Sequence, residues 1–130
     1  MTAAELHRIV EGVPLDAWPK DVAYFKPETQ WLYRRRLGPK DINESELDVD
    51  GASDLFIGSM VRWITSNAMR TVTIEGHGEL GHTVTVCHLR KPDRLLFDCT
   101  PRPLVEGLAT ACINLAAACK AVGVGESEKR

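Results

Sequence analysis

The sequence predicts an α+β domain. It is a three-stranded antiparallel sheet packed with helices as a layered sandwich, in the order helix, insert, helix, three strands, helix. Three observations predict it. Apolar residues recur at helical spacing near the start, in the middle and at the end of the chain. Two runs, Thr71-Val72-Thr73-Ile74 and Thr83-Val84-Thr85-Val86, alternate with period two, as half-buried strands do. The chain has 130 residues, 44% apolar and 26% charged, which is the size and balance of one soluble domain over 1–130.

The elements follow in order. Residues 2–13 read as a helix, with Thr2 and Glu5 as a capping box and Leu6, Ile9, Val10 and Val13 as its apolar stripe. Pro14 ends it. Residues 14–52 form an insert that holds four of the seven prolines and five of the eight aromatics. Within it, Pro27 and Gly38 suit the two ends of a short helix over 27–37, and an acidic loop follows from Asp41 to Asp50. Residues 54–67 read as a second helix capped by Ser53, with Phe56, Ile57, Met60, Val61 and Ile64 at helical spacing. Strands over 70–75 and 83–87 flank a glycine-rich hairpin, Gly76 to His82. A turn at Lys91-Pro92-Asp93-Arg94 leads to a third strand, Leu95 to Cys99. Val72, Ile74, Val84 and Val86 make the apolar face of this sheet, and threonines make the other. Thr100 to Ala121 is the longest helix, with Leu104, Leu108, Ala111, Cys112, Leu115 and Cys119 on one face. Gly123 and Gly125 stop it before a frayed tail over 123–130.

Composition excludes several function classes. With 16 Lys+Arg against 18 Asp+Glu, the formal charge is −2, so a nucleic-acid partner is not expected. No apolar run approaches the roughly 18–20 residues that span a bilayer, so no membrane is expected either. The first residues lack the basic-then-apolar order of a signal peptide. Cys87, Cys99, Cys112 and Cys119 are therefore expected as reduced thiols in a cytoplasmic protein.

Three segments carry a resemblance to a known family. Glu5-Leu6-His7-Arg8-Ile9-Val10-Glu11, the helix from Ser53-Asp54-Leu55 through Trp63, and Thr100-Pro101-Arg102-Pro103-Leu104-Val105 through Ala116 are similar to the three helices of the phage ABA sandwich domain, carried by small phage- and prophage-encoded proteins. The chain departs from that pattern in its long insert and its longer, cysteine-richer last helix. The family has no established activity. The resemblance implies a sandwich fold and a bacterial cytosolic setting, and no catalytic residues.

The candidate binding residues are Trp31, Tyr33, Arg34, Arg35 and Arg36, because Trp, Tyr and Arg are the residue types enriched at binding hot spots. If helical, the three arginines would fan over about 200° and form no tight patch. The candidate metal ligands are His77, His82 and His88, with Cys87 beside them. Their spacing is that of no zinc ribbon or finger, and period two sends Cys87 and His88 to opposite faces, so no metal and no cofactor is expected. Cys99, before a helix start, is the best-placed thiol for a Cys/His enzyme, but no nucleophile turn surrounds it. Asp48 to Asp54 resemble a calcium loop only superficially: aligned on Gly51, the closing glutamate position is Ile57. Gly76, Gly78 and Gly81 spell a dinucleotide fingerprint outside its strand–helix setting. The expectation is thus a small accessory protein of phage or prophage origin, non-enzymatic, that binds a host or phage protein, with counter-defence as one role. The alternative is a small-ligand or nucleotide binder. The sheet edges also admit a homodimer.

Overall fold

The computed structural model describes residues 1–25, 30–36, 38–39, 42–67, 69–91 and 93–122, apart from the side chains of Arg35, Arg36, Ile42, Asn43, Lys120, Ala121 and Val122. Helix α1 (Ala3–Val10) is capped by Thr2, whose hydroxyl accepts the Glu5 amide at 3.1 Å. Leu6 and Val10 are buried on its inner side, and Val13 follows them into the core. A single 3-10 turn, Leu15–Ala17, follows Pro14. Next come β1 (Val22–Phe25), β2 (Gln30–Arg36) and β3 (Ile42–Leu47), then α2 (Val49–Ser66). Strands β4 (Arg70–Gly76), β5 (His82–His88) and β6 (Leu95–Asp98) precede α3 (Leu104–Val122).

The architecture is α+β with two three-stranded antiparallel sheets, β1-β2-β3 and β4-β5-β6. The expected meander is the second of these. The first corrects the sequence reading. The helix expected over 27–37 is strand β2 in its described part, paired with β1 and β3. The acidic loop is largely β3. The cause is tertiary: Trp31 and Tyr33 lie on one side of β2 and Leu32 and Arg34 on the other, so alternation buries Trp31 and half-buries Tyr33 against the core. Local propensity for a helix is a small term beside that burial. Pro27 lies outside the described residues, as do Gly123, Gly125 and the tail over 123–130.

Helix α2 begins at Val49, five residues before the expected start, because Asp48 and not Ser53 is its cap. Asp48 Oδ1 accepts the Gly51 amide at 2.7 Å. Helix α3 starts at Leu104, later than expected, and Thr100 accepts the Arg102 side chain instead of capping.

One core runs through the molecule. Ala52, Phe56, Met60 and Ile64 of α2 and Val105, Leu108, Ala109, Ala111, Cys112 and Leu115 of α3 are buried against each other and against Val84 and Val86 of β5. Trp31 is 0% exposed and joins the first sheet to this core. Its ring meets Phe56 edge-on at 5.2 Å, Tyr24 at 5.1 Å and Trp18 at 5.9 Å. Its indole N–H donates to the Ala3 carbonyl at 3.2 Å. His7 of α1 stacks on Tyr24 at 4.1 Å. The insert is therefore part of the body of the domain.

The β4–β5 hairpin turns through a second 3-10 segment, Gly78–Leu80. Gly78 and Gly81 adopt φ of 61° and 97°, which glycine tolerates best. At Gly81 a Cβ would also collide with the Arg102 carbonyl, because His82 and Arg102 exchange two backbone hydrogen bonds there.

Candidate functional site

An open cleft of about 630 Å³ lies between the first sheet, the turn after α1 and helix α2. Its position follows from three local ties. Ser59 of α2 donates to the Ala17 carbonyl at 2.7 Å, which fixes the 3-10 turn on the helix. Trp18 Nε1 donates to the Val13 carbonyl at 3.2 Å, and its ring stands edge-on to Phe56. The Arg34 amide donates to the Asp21 carbonyl at 2.6 Å, which anchors the start of β1 on β2.

Trp18, Tyr33 and Trp63 supply the aromatic walls. Leu55, Ser59, Arg62, Trp63 and Ser66 come from one side of α2, next to its buried stripe. Trp63 precedes buried Ile64 by one residue, which turns it about 100° away from the core side. The Arg70 guanidinium stands 5.6 Å from the Trp63 ring centre. Asp16, Lys20, Asp21 and Arg62 are exposed at the rim, and among the described residues none of the four forms an ion pair. The arrangement suits flat apolar groups on its walls and charged or polar groups at its edge.

The residues expected from sequence are separated. Tyr33 lines the cleft. Trp31 is in the core, so it presents no surface. Arg34 lies on the opposite side of β2, with Nε 3.0 Å from Glu44 Oε1 and its guanidinium 5.2 Å from the Phe25 ring centre. Arg35 and Arg36 stand opposite Asn43 and Ile42 in the strand register, and their side chains lie outside the described ones. Trp18, Trp63, Arg62 and Lys20 were not singled out by sequence. The available signal was Trp63 falling off the Phe56–Met60–Ile64 stripe.

A second, shallower cleft of about 460 Å³ is lined by Glu75, His77, Thr83, Thr85, Asp98, Cys99, Thr100 and Pro101. His77 Nε2 is 3.1 Å from the Thr83 hydroxyl, and Thr85 donates to Asp98 Oδ1 at 3.3 Å. The three histidines do not meet. His82 lies across from Gly76, and His88 Nδ1 accepts the Arg90 amide at 3.2 Å. Among the described residues, no group of three or more His, Cys, Asp or Glu side chains is arranged to hold a metal ion.

All four cysteines are free thiols. Cys112 is fully buried, and loss of solvation pushes its thiol from 9.0 up to about 12, against the opposing charge of Arg70. Cys119 accepts a hydrogen bond from Arg70 Nη2 at 3.4 Å. Cys99 Sγ lies on the α3 side, 3.6 Å from where a Cβ on Gly107 would stand.

Comparison with protein-family models, with curated proteins and with solved structures finds no match. Among the described residues, no helix is long and apolar enough to cross a membrane.

Proposed function

We propose that this chain is a cytoplasmic accessory protein of phage or prophage origin that binds a partner polypeptide in the Trp18–Tyr33–Trp63 cleft. The reading is non-enzymatic, takes the domain as a layered sandwich of the phage ABA type, and includes association of two copies through an uncovered sheet edge. The phage origin rests on the three helical segments that resemble that family. Counter-defence belongs to this reading through the same resemblance.

One observation carries the binding role. Three aromatic side chains and an arginine gather in an open cleft whose four rim charges have no described partner. Trp, Tyr and Arg are the types that carry most binding energy in protein interfaces. Charges of both signs at the rim suit a polypeptide, which offers both signs, better than a ligand of one sign.

The test is affinity capture from a bacterial lysate with the wild-type chain and with Arg62→Glu and Leu55→Asp, both at exposed cleft positions. The expected result is one polypeptide recovered by the wild type and lost with both variants. Recovery unchanged by the variants contradicts the cleft.

The second reading is a small-ligand or nucleotide site. The cleft volume falls within the roughly 300–1,000 Å³ of such sites, and Lys20 and Arg62 would face a phosphate. Asp16 and Asp21 at the same rim oppose it. A nucleotide that raises the melting temperature with increasing concentration favours this reading; a panel without effect removes it.

A further inference from the structure

The four sheet edges of this chain differ in how they are protected. β1 and β6 are four residues long, and the register of β5 against β6 shifts between Val86 and Cys87. β3 carries Glu44 and Glu46. Short strands, irregular pairing and charge are the usual ways to keep an edge from pairing with another chain. β4 is the least protected of the four: it pairs with β5 in unbroken register, and its two charged residues, Arg70 and Glu75, stand toward its ends. It is seven residues long, its centre is Thr71-Val72-Thr73-Ile74, and Thr73, Ile74 and Glu75 are exposed.

The register shows which backbone groups this edge offers. The Leu89 amide donates to the Met69 carbonyl, and the His77 amide donates to the Gly81 carbonyl. Both links belong to one antiparallel ladder, in which Thr71, Thr73 and Glu75 face Cys87, Thr85 and Thr83. Hydrogen-bonded pairs alternate along such a ladder, so the odd-numbered residues of β4 bond inward to β5. The N–H and C=O groups of Val72, Ile74 and Gly76 then point outward. Among the described residues, no group hydrogen-bonds to them.

We infer that β4 is the interface for a second copy of this chain, pairing antiparallel with its counterpart about a two-fold axis at Thr73. This rests on the reading that two copies associate, and not on the partner cleft. The register is set by the free groups. Val72 exchanges hydrogen bonds with the partner's Ile74, Ile74 does so with the partner's Val72, and Thr73 faces the partner's Thr73 in a non-hydrogen-bonded position. All seven residues of the strand then face a residue of the partner, while the Arg70 amide keeps its bond to the Asn67 carbonyl. Glu75 faces the partner's Thr71 and Arg70 faces the partner's Gly76, so no like charges oppose each other. Threonine beside threonine is a favourable cross-strand pair. On the same side, Thr73, Thr85 and Asp98 already stand in one row across the sheet. Pairing extends that row through both copies and places the two shallow clefts on one continuous surface.

The experiment is sedimentation equilibrium of the full chain from low-micromolar to sub-millimolar concentration, on the wild type and two variants, with circular dichroism as the check on folding. Ile74→Pro removes an outward N–H that bonds nothing among the described residues. Thr73→Lys sets two like charges face to face at the axis. The expected result is a wild-type dimer whose dissociation constant rises at least about tenfold in each variant. Oxidation of Thr73→Cys is expected to link two chains, since the Cα atoms of such a pair lie about 4.5 Å apart, within disulfide reach. Thr71→Cys, which faces Glu75 of the partner subunit, is expected to behave as the oxidised wild type. A wild-type chain that stays monomeric overturns both the dimer and this interface. A dimer that survives both Ile74→Pro and Thr73→Lys keeps the dimer and overturns the β4 interface.

Discussion

Trp31 is the residue on which the packing depends most. It fills the space between Tyr24, Trp18 and Phe56 and ties the first sheet to α1 through the Ala3 carbonyl. Trp31→Ala is expected to cost about 3–5 kcal/mol, a large part of the stability of a domain this size. Trp31→Phe keeps most of the ring contacts and loses the hydrogen bond, so a cost of about 1–2 kcal/mol is expected. Urea denaturation of both variants measures the difference. Cys112 is the second residue with a measurable signature. Its thiol holds its proton to about pH 12 when folded, against 9.0 ordinarily. Between these values the unfolded chain binds fewer protons than the folded one, so stability falls as pH rises above 9.0. The slope from this group is at most about 1.4 kcal/mol per pH unit. Denaturation midpoints taken from neutral pH to about pH 11 are expected to fall less steeply in Cys112→Ala than in the wild type. At this scale the sequence was readable for Cys112, which lies on an apolar helical face with Leu108 and Leu115. It misled for Trp31, because an aromatic beside three arginines looks like a surface group until the strands on either side are known.

The elements divide by the range of the forces that make them. α1, α3 and β4 to β6 were legible, since their apolar periods and glycine turns lie within each segment. The first sheet was not. β2 gains its hydrogen bonds from β1 and β3, and its buried face from α2, none of which is local to it. Pro27 and Gly38, read as helix ends, stand before and after β2. The start of α2 was also misplaced, because three acidic residues and a serine all resemble caps and only Asp48 is in position to bond Gly51. Asp48→Ala is expected to cost about 1 kcal/mol, seen as a lower thermal midpoint, while Ser53→Ala changes it little. Gly81 tests the hairpin. Its φ of 97° and the nearby Arg102 carbonyl leave no room for a side chain. Gly81→Ala is expected to cost about 1–3 kcal/mol from the backbone alone and to loosen the link from His82 to Arg102. Faster amide exchange at His82 and Arg102 than at Val84 would report that loosening.

At the scale of the whole molecule, the insert has two roles at once. Its inner face completes the core through Trp31, and its margin forms one side of the cleft through Tyr33, Trp18 and the segment from Pro19 to Val22. The candidate site was legible in one residue, Tyr33. The rest of it depends on the turn after α1 meeting α2, a contact between residues some forty positions apart that no spacing rule records. The cleft as a polypeptide site is the central claim, and cross-linking from within it is the most direct test. A photoreactive residue placed at Leu55, on the cleft, is compared in living bacteria with one at Leu89, which is also exposed but lies beyond β5. A single polypeptide is expected to be linked at Leu55, absent at Leu89, and lost when Arg62→Glu is added. Equal linkage at the two positions, or none at Leu55, would contradict the cleft as the binding site.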